Sequence, residues 1–316
     1  MRPSRERVLL LALLAVVAVV WWLALGDLNQ GLAITAFDVG QGDSILIQTP
    51  SGRTVLIDGG GLPGQSARGY DIGREVVVPG LLARRVRKID VLVITHPDED
   101  HIGGLPAVID AIPVGLVLDP MLPCESASYE RVREAIERRG VKVHRATEGQ
   151  RLNLGDGIQV EVLNPPDPRL RETGSDDNNN SVVLRLTYGG LSALLTGDID
   201  RVGAARMGRL GEDLRSTFLK VPHHGSAGAA DRRFVEAVRP ELAIISVGEN
   251  NRFGHPSEEM LRELRRVGAK VMRTDEEGAI TVKFRPPDWS ARGYVGFRPG
   301  RKLSGRASAI MAGEAK

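Results

Sequence analysis

A chain of 316 residues with 42% apolar content can bury a full core, and its length fits one large or two small domains. A net charge of +2 excludes no partner, but the charge is unevenly spread: Arg285 to Lys316 carries seven Lys/Arg against Asp288 and Glu314. The single cysteine, Cys124, excludes a disulfide within the chain and has no partner for a zinc site, so it reads as a small buried residue.

Val8 to Leu25 is an unbroken run of 18 apolar residues, which as a helix rises roughly 27 Å, enough for the hydrocarbon of a bilayer. Arg2, Arg5 and Arg7 precede it and Trp21-Trp22 sit near its end as interfacial anchors. Residues 1–26 are therefore expected to form an N-terminal transmembrane helix, with the rest of the chain outside the cytoplasm. A cleaved signal segment is the competing reading, with Ala24-Leu25-Gly26 as the small-x-small site, and would make the protein secreted.

From residue 32 strand and helix signals alternate. Leu32 to Phe37, Ser44 to Gln48 and Thr54 to Ile57 read as short strands joined by glycine-rich turns. Ile72 to Val86 carries helical spacing, Val91 to Ile94 is a buried strand, and Leu105 to Ile112 a helix. Val114 to Leu118, Ser128 to Arg139 and Val141 to His144 form a β-α-β unit. The stretch Asn164 to Asn180, rich in Pro, Asp and Asn, is expected to be a long surface loop. After it come strands at Ser181 to Leu186, Leu191 to Leu195, Thr217 to Val221, Leu242 to Ser246, Lys270 to Arg273 and Ala279 to Phe284. Helices at Val202 to Leu210, Arg232 to Val238 and Glu258 to Val267 lie between them. Meanders followed by β-α-β units, occurring twice, predict an α/β fold of two sheets packed face to face with helices outside, spanning residues 32–285. Residues 286–316 read as a basic disordered tail.

The turn His96-Pro97-Asp98-Glu99-Asp100-His101 follows the strand Val91 to Ile94 and carries four potential metal ligands. A strand ending there delivers His, Asp, Asp and His to one place, as two divalent cations need if they are to activate water. Four more constellations fall at strand ends: Asp58-Gly59-Gly60, Thr196-Gly197-Asp198, His223-His224-Gly225-Ser226 and Phe253-Gly254-His255-Pro256. Taken singly, each has a structural reading as a cap, turn or exposed loop. Jointly they place five of the six histidines in loops beside strands, and only His144 lacks acidic or histidine neighbours.

These motifs, in this order, resemble the metallo-β-lactamase fold, a four-layer αββα sandwich with two metals on its edge. More narrowly, Phe37-Asp38-Val39-Gly40-Gln41-Gly42-Asp43-Ser44, Val221 to Ser226 and Ser246 to Pro256 are similar to the C-terminal nuclease-type domain of ComEC DNA-uptake proteins. The resemblance implies that His96 and Asp98 hold the first metal, Asp100 and His101 the second, and Asp198 bridges. His224 completes the second site, with His223 as the alternative. Asp58 and Asp43 support the ligands from behind. Asp100, His255 and Asn180 are the implied catalytic residues, with Asn180-Ser181 and Asn250-Asn251 placed to contact a substrate phosphate or leaving group.

One departure matters. The broader fold uses HxHxDH, whereas Asp98 replaces the second His, and no His lies between His144 and His223 to add a ligand to the first site. Oxygen in place of imidazole shifts the expected pair of divalent ions from Zn²⁺ toward Mn²⁺, with Mg²⁺ also suited, and argues against antibiotic hydrolysis. The expected function is metal-dependent hydrolysis of a phosphodiester, with single-stranded DNA as the foremost substrate. With one candidate span, the chain is not expected to translocate DNA itself, and the open roles are service to a separately encoded DNA-uptake channel, nucleotide scavenging, or hydrolysis of another phosphodiester. The alternatives are a phosphorylcholine-type esterase acting on wall polymer, or a non-catalytic nucleic-acid-binding module using Trp289, Tyr294 and Phe297 of the basic tail.

Overall fold

The computed structural model of the chain describes residues 5–26, 31–62, 69–295 and 298–306. Its body is built on two sheets. The first begins with β1 (Leu32–Ala36), β2 (Ile45–Gln48) and β3 (Thr54–Ile57), an antiparallel meander, as expected from the glycine turns between them. It continues with β4 (Ile89–Val93), β5 (Val114–Asp119) and β6 (Lys142–Arg145), all parallel to β3. The second sheet opens with the antiparallel strands β7 (Arg151–Gly155), β8 (Ile158–Asn164), β9 (Val183–Tyr188) and β10 (Leu191–Leu195). It then runs parallel through β11 (Phe218–Lys220), β12 (Leu242–Ile245) and β13 (Lys270–Arg273). Finally β14 (Ala279–Arg285) returns to the first sheet and pairs with β1.

Three apolar layers follow from the period-2 pattern of the strands. Ile34, Ile47, Val55 and Val93 of one sheet meet Val160, Leu184, Ala193 and Ile244 of the other in a central layer. Leu46, Leu56, Leu92 and Val117 face the opposite way, onto Val108 of helix Leu105–Ala111 and Val132 of helix Ala127–Arg138. Leu194, Leu219 and Ala243 likewise cover Phe234 of helix Arg232–Val238 and Leu264 of helix Glu258–Arg266. The result is the expected αββα sandwich. Because β3, β4 and β5 run parallel, as do β10, β11 and β12, the C-terminal ends of each set share one side of their sheet. The bond from Val182 N–H to the Thr95 carbonyl, 2.9 Å, ties the two sides together.

Three expectations are corrected. The segment after Arg285 is no loose tail: β15 (Asp288–Val295) and β16 (Arg298–Arg306) form a hairpin that widens the first sheet to nine strands. Alternation explains it, since Trp289 and Ala291 point inward and are buried while Arg292 points out. The indole Nε1 of Trp289 donates to Glu241 at 2.8 Å, so it offers no platform for a nucleobase. Phe297 and residues 307–316 lie outside the described residues.

The Asn164–Asn180 stretch is also not all surface, because Asn164, Asn179 and Asn180 are buried and hydrogen-bonded. Asn179 Oδ1 accepts from the backbone N–H groups of Asp200 and Gly203, fastening this loop to helix Arg201–Gly208. At the N-terminus, helix Arg5–Gly26 forms as expected and leaves Leu9, Leu10, Leu13 and Leu14 exposed. Among the described residues, no helix is long and apolar enough to cross a membrane. The helix expected over residues 1–26 is thus present as Arg5–Gly26, and the expected transmembrane span is not found among the described residues.

Candidate metal centre

The centre lies where β3, β4, β10, β11 and β12 end. After β4 the chain passes through Thr95 and His96 into the one-turn helix Glu99–Ile102. Asp98 occupies the cap position of that helix but makes no capping bond, so its carboxylate stays available. Its Oδ2 lies 3.5 Å from His96 Nε2, with 49% of the side chain exposed. Gly42 packs against this turn: a Cβ there would sit 2.0 Å from the Asp100 carbonyl oxygen, and its φ of +127° already favours glycine. The Gln41-Gly42-Asp43 motif therefore wraps the ligand turn.

The three buried imidazoles share one arrangement. His101 Nδ1 donates to Asp58 Oδ2 at 2.8 Å. His224 Nδ1 donates to the Ser246 carbonyl at 3.0 Å. Thr95 Oγ1 donates to Asp58 Oδ2 at 2.6 Å and so accepts from His96 Nδ1 at 3.0 Å. With Nδ1 engaged, each ring turns Nε2 into the cluster, and all three Nε2 atoms are buried without a hydrogen-bond partner. Buried polar atoms left unpaired are costly, and three pointed at shared carboxylates make a place for positive charge, a cation or a proton. Asp198 Oδ2 lies 3.2 Å from His101 Nε2 and 3.0 Å from His224 Nε2, and Asp100 Oδ2 lies 3.4 Å from His224 Nε2. Asp100, His101 and His224 form one possible ligand group; His96, His101 and Asp198 form another. The donor set fits divalent metal ions.

Protonation shows the same need for positive charge. Burial opposes a proton on His101, but Asp198 and Asp58 outweigh it and hold the ring well above the ordinary histidine range. At His224 burial is likewise outweighed, by Asp198 and Asp100, and the pKa rises to about 9. Burial would raise Asp198, yet His224, His101 and Lys220 keep it well below the carboxylate range. Histidine pKa values raised on folding stabilise the metal-free protein fully below about 6.5, and that contribution is lost as pH climbs through about 9. Chelator-treated protein should therefore lose Tm from pH 6.5 to 9.5 while metal-loaded protein changes less, as thermal melts would show; a flat metal-free profile would contradict the assignment.

A family model described as the metallo-beta-lactamase superfamily matches residues 37–249. The chain belongs to the metallo-beta-lactamase superfamily. It is 34% identical over 269 residues to ComE operon protein 3 of Bacillus subtilis (strain 168), covering 80% of this chain and 33% of that protein. It is 35% identical over 249 residues to Competence protein ComA of Neisseria gonorrhoeae, covering 78% and 32%. The chain therefore spans about a third of the length of the curated relatives it matches. Among solved structures, CmlA, a diiron beta-hydroxylase from Streptomyces venezuelae, superposes with a TM-score of 0.51 at 16% identity over 81% of this chain and 55% of that one, which shows the fold alone. Membership makes the chain a metal-dependent hydrolase related to competence proteins, with a His/Asp cluster able to bind metal ions.

Within this metallo-beta-lactamase centre most expected ligands converge, and three residues are reassigned. His223 is not brought into the possible ligand groups: it and His224 both take left-handed backbone, φ 45° and 52°, with the His223 ring facing Asp200, 3.9 Å away, while His224 enters the cluster. Asn180 is not catalytic, because its carboxamide bonds Leu170 N–H, Leu170 C=O and Asp176 C=O within its own loop. Asn251 is likewise occupied, holding Gly248, Phe253 and His255. His255 sits on the rim, 6.3 Å from the His224 ring. Burial and the neighbouring His224 and His223 push its pKa down to about 4, so the ring is neutral at pH 7.

Lys220 escaped the sequence reading. It is 1% exposed, with Nζ paired to Asp43 Oδ2, 3.3 Å from Asp198 Oδ1 and 3.1 Å from the Gly197 carbonyl. The signal was present: a lysine inside the apolar strand Phe218-Leu219-Lys220-Val221 needs buried partners. Asp58 behaves as expected, accepting from Thr95 N–H, Thr95 Oγ1 and His101 Nδ1. Asp58→Asn should weaken metal binding by roughly 10- to 100-fold, since it disturbs the His101 tautomer without removing a ligand. Calorimetric titration with Mn²⁺ checks this, and unchanged affinity would refute the orienting role.

Proposed function

We propose that the protein is a metal-dependent phosphodiester hydrolase that cuts DNA, single strands foremost, outside the cytoplasm and attached to a membrane by its apolar N-terminal run. The observation that carries the reading is the acidic mouth of the centre. There Asp98 stands beside His96, half-exposed, in a cluster that Asp100 and Asp198 also line. Hard oxygen donors suit Mn²⁺, or Mg²⁺, better than Zn²⁺. One relative is named a competence protein, and this likeness supports DNA as the substrate and a DNA-uptake channel as a partner.

His96, Asp98 and Asp198 would hold one ion, and Asp100, His101, His224 and Asp198 the other. Divalent cations at such a centre acidify water and neutralise phosphoryl oxygens. The chain's own groups do the rest. Asp58, Thr95 and the Ser246 carbonyl fix the imidazole tautomers. Gln41 Nε2 donates to His255 Nδ1 at 3.4 Å, leaving the neutral His255 ring its Nε2–H as a donor for a phosphoryl or leaving oxygen. Lys220 keeps Asp43 and Asp198 compatible in one buried space.

The test is cleavage of end-labelled single- and double-stranded DNA by metal-stripped protein given Mn²⁺, Mg²⁺, Zn²⁺ or chelator. Manganese-dependent cutting that disappears in Asp100→Ala is expected. No cutting with any metal would overturn the reading and favour a phosphorylcholine-type esterase. Membrane attachment is tested separately, by whether the full chain sediments with membranes and deletion of residues 1–26 releases it.

A further inference from the structure

The loop after β12 holds a feature that the metal chemistry does not use. Asn251 pins this loop with four bonds: Nδ2 donates to the Gly248 and His255 carbonyls, and Oδ1 accepts from Phe253 and His255 N–H. On the pinned loop Phe253 is left 54% exposed. Its ring lies 5.7 Å from the His255 ring at an interplanar angle of 24°, and His255 in turn borders the His223 and His224 rings at 5.8 and 6.3 Å. The Arg252 guanidinium stands over the phenyl ring at 5.1 Å, itself exposed. A phenyl group on a pinned loop at the rim, more than half exposed and outside the three apolar layers, contributes little to the core.

We infer that Phe253 is a stacking platform for an unpaired nucleobase of the strand whose phosphodiester enters the metal centre, with Arg252 contacting the adjacent backbone phosphate. This rests on the nuclease reading above. The chemistry selects a nucleobase because every base offers a π-face to an aromatic ring, and an arginine alongside adds cation–π and phosphate contact. It also selects single strands: bases in a duplex are already stacked and present no free face. Stacking on a ring is tolerant of sequence, since each base has a π-face to offer.

The experiment uses the full chain in mild detergent, Mn²⁺, and three oligonucleotides of equal length: a single strand, its duplex, and a single strand abasic around the cleavage position. Phe253→Ala should lower kcat/KM on the normal single strand by about tenfold, the size of about 1.4 kcal/mol of stacking, through KM. The abasic strand should be cut at an unchanged rate, and Phe253→Trp should restore the normal strand. Arg252→Gln should weaken both strands alike and flatten the salt dependence. Equal loss on normal and abasic strands, or no loss on the normal strand, would overturn the platform. If wild type cuts neither strand, the nuclease reading fails while the platform remains decidable from fluorescence anisotropy: tighter binding of normal than abasic strand that Phe253→Ala abolishes supports it, and equal binding refutes it.

Discussion

Asp198→Ala should abolish hydrolysis, by on the order of a thousandfold or more, well beyond the 10- to 100-fold expected for a supporting residue. Asp198 is where the centre's contacts meet. One oxygen lies within 3.2 Å of His101 Nε2 and 3.0 Å of His224 Nε2, and the other within 3.3 Å of Lys220 Nζ. Removing it takes away the carboxylate nearest both imidazoles and half of the lysine's pairing. Metal content should fall together with turnover, measured by elemental analysis of protein dialysed against Mn²⁺. Asp198→Asn separates charge from shape: it keeps the volume and one acceptor, and should still lose most metal. A variant with wild-type metal content and activity would displace Asp198 from the centre.

The second large effect is on stability. Lys220→Met should cost the metal-free protein about 3–5 kcal/mol, the loss typical when one partner of a buried ion pair is removed. Burial opposes the Lys220 charge, but Asp43 and Asp198 outweigh it and raise its pKa above the ordinary lysine value. Without the ammonium, Asp43 loses its ion-pair partner and Asp198 keeps only His101 and His224. Metal should restore part of the loss, because a cation in the cluster supplies the missing charge beside Asp198. Asp43→Asn added to Lys220→Met should also recover stability, since it removes the carboxylate left unpaired. Denaturant melts of wild type, both single variants and the double variant, with and without Mn²⁺, give the coupling. If the Lys220→Met deficit is unchanged by metal and by Asp43→Asn, Lys220 is a packing residue and no more.

Catalytic-rim chemistry and stability share the same residues here, which explains why the ligand turn has no slack. Gly42 admits the Asp100 carbonyl where any Cβ would collide, and Gly197, at φ +52°, lets the chain turn directly from β10 into Asp198. Asp198 N–H donates to Ser181 Oγ at 3.2 Å, so the buried end of the 164–181 stretch acts as a brace for the centre.

How much was legible beforehand differs from residue to residue. The run His96 to His101, Asp58, Asp198 and a histidine from the 223–224 pair were readable because a strand followed by a cluster of ligand-type side chains has few other uses. The strand-helix alternation was readable from periodicity alone, and so was the αββα class, once the resemblance was joined to it. The hairpin Asp288–Arg306 was hidden because Arg292, Arg301, Lys302 and Arg306 are exposed along it, and charge count masked the alternation of Trp289 and Ala291. The choice of His224 over His223 could not be made from composition, since two adjacent left-handed residues decide which ring turns inward. Asn180 looked functional for its position in the chain, and only its neighbours Leu170 and Asp176 show that its amide is already occupied. Lys220 is the sharpest case: the sequence alone determined that a charge sits in a buried strand, but which carboxylates meet it depends on how two sheets, joined through residues far apart in the chain, bring Asp43 and Asp198 to one point. Local pattern sets what each segment can be; only packing sets which atoms face each other.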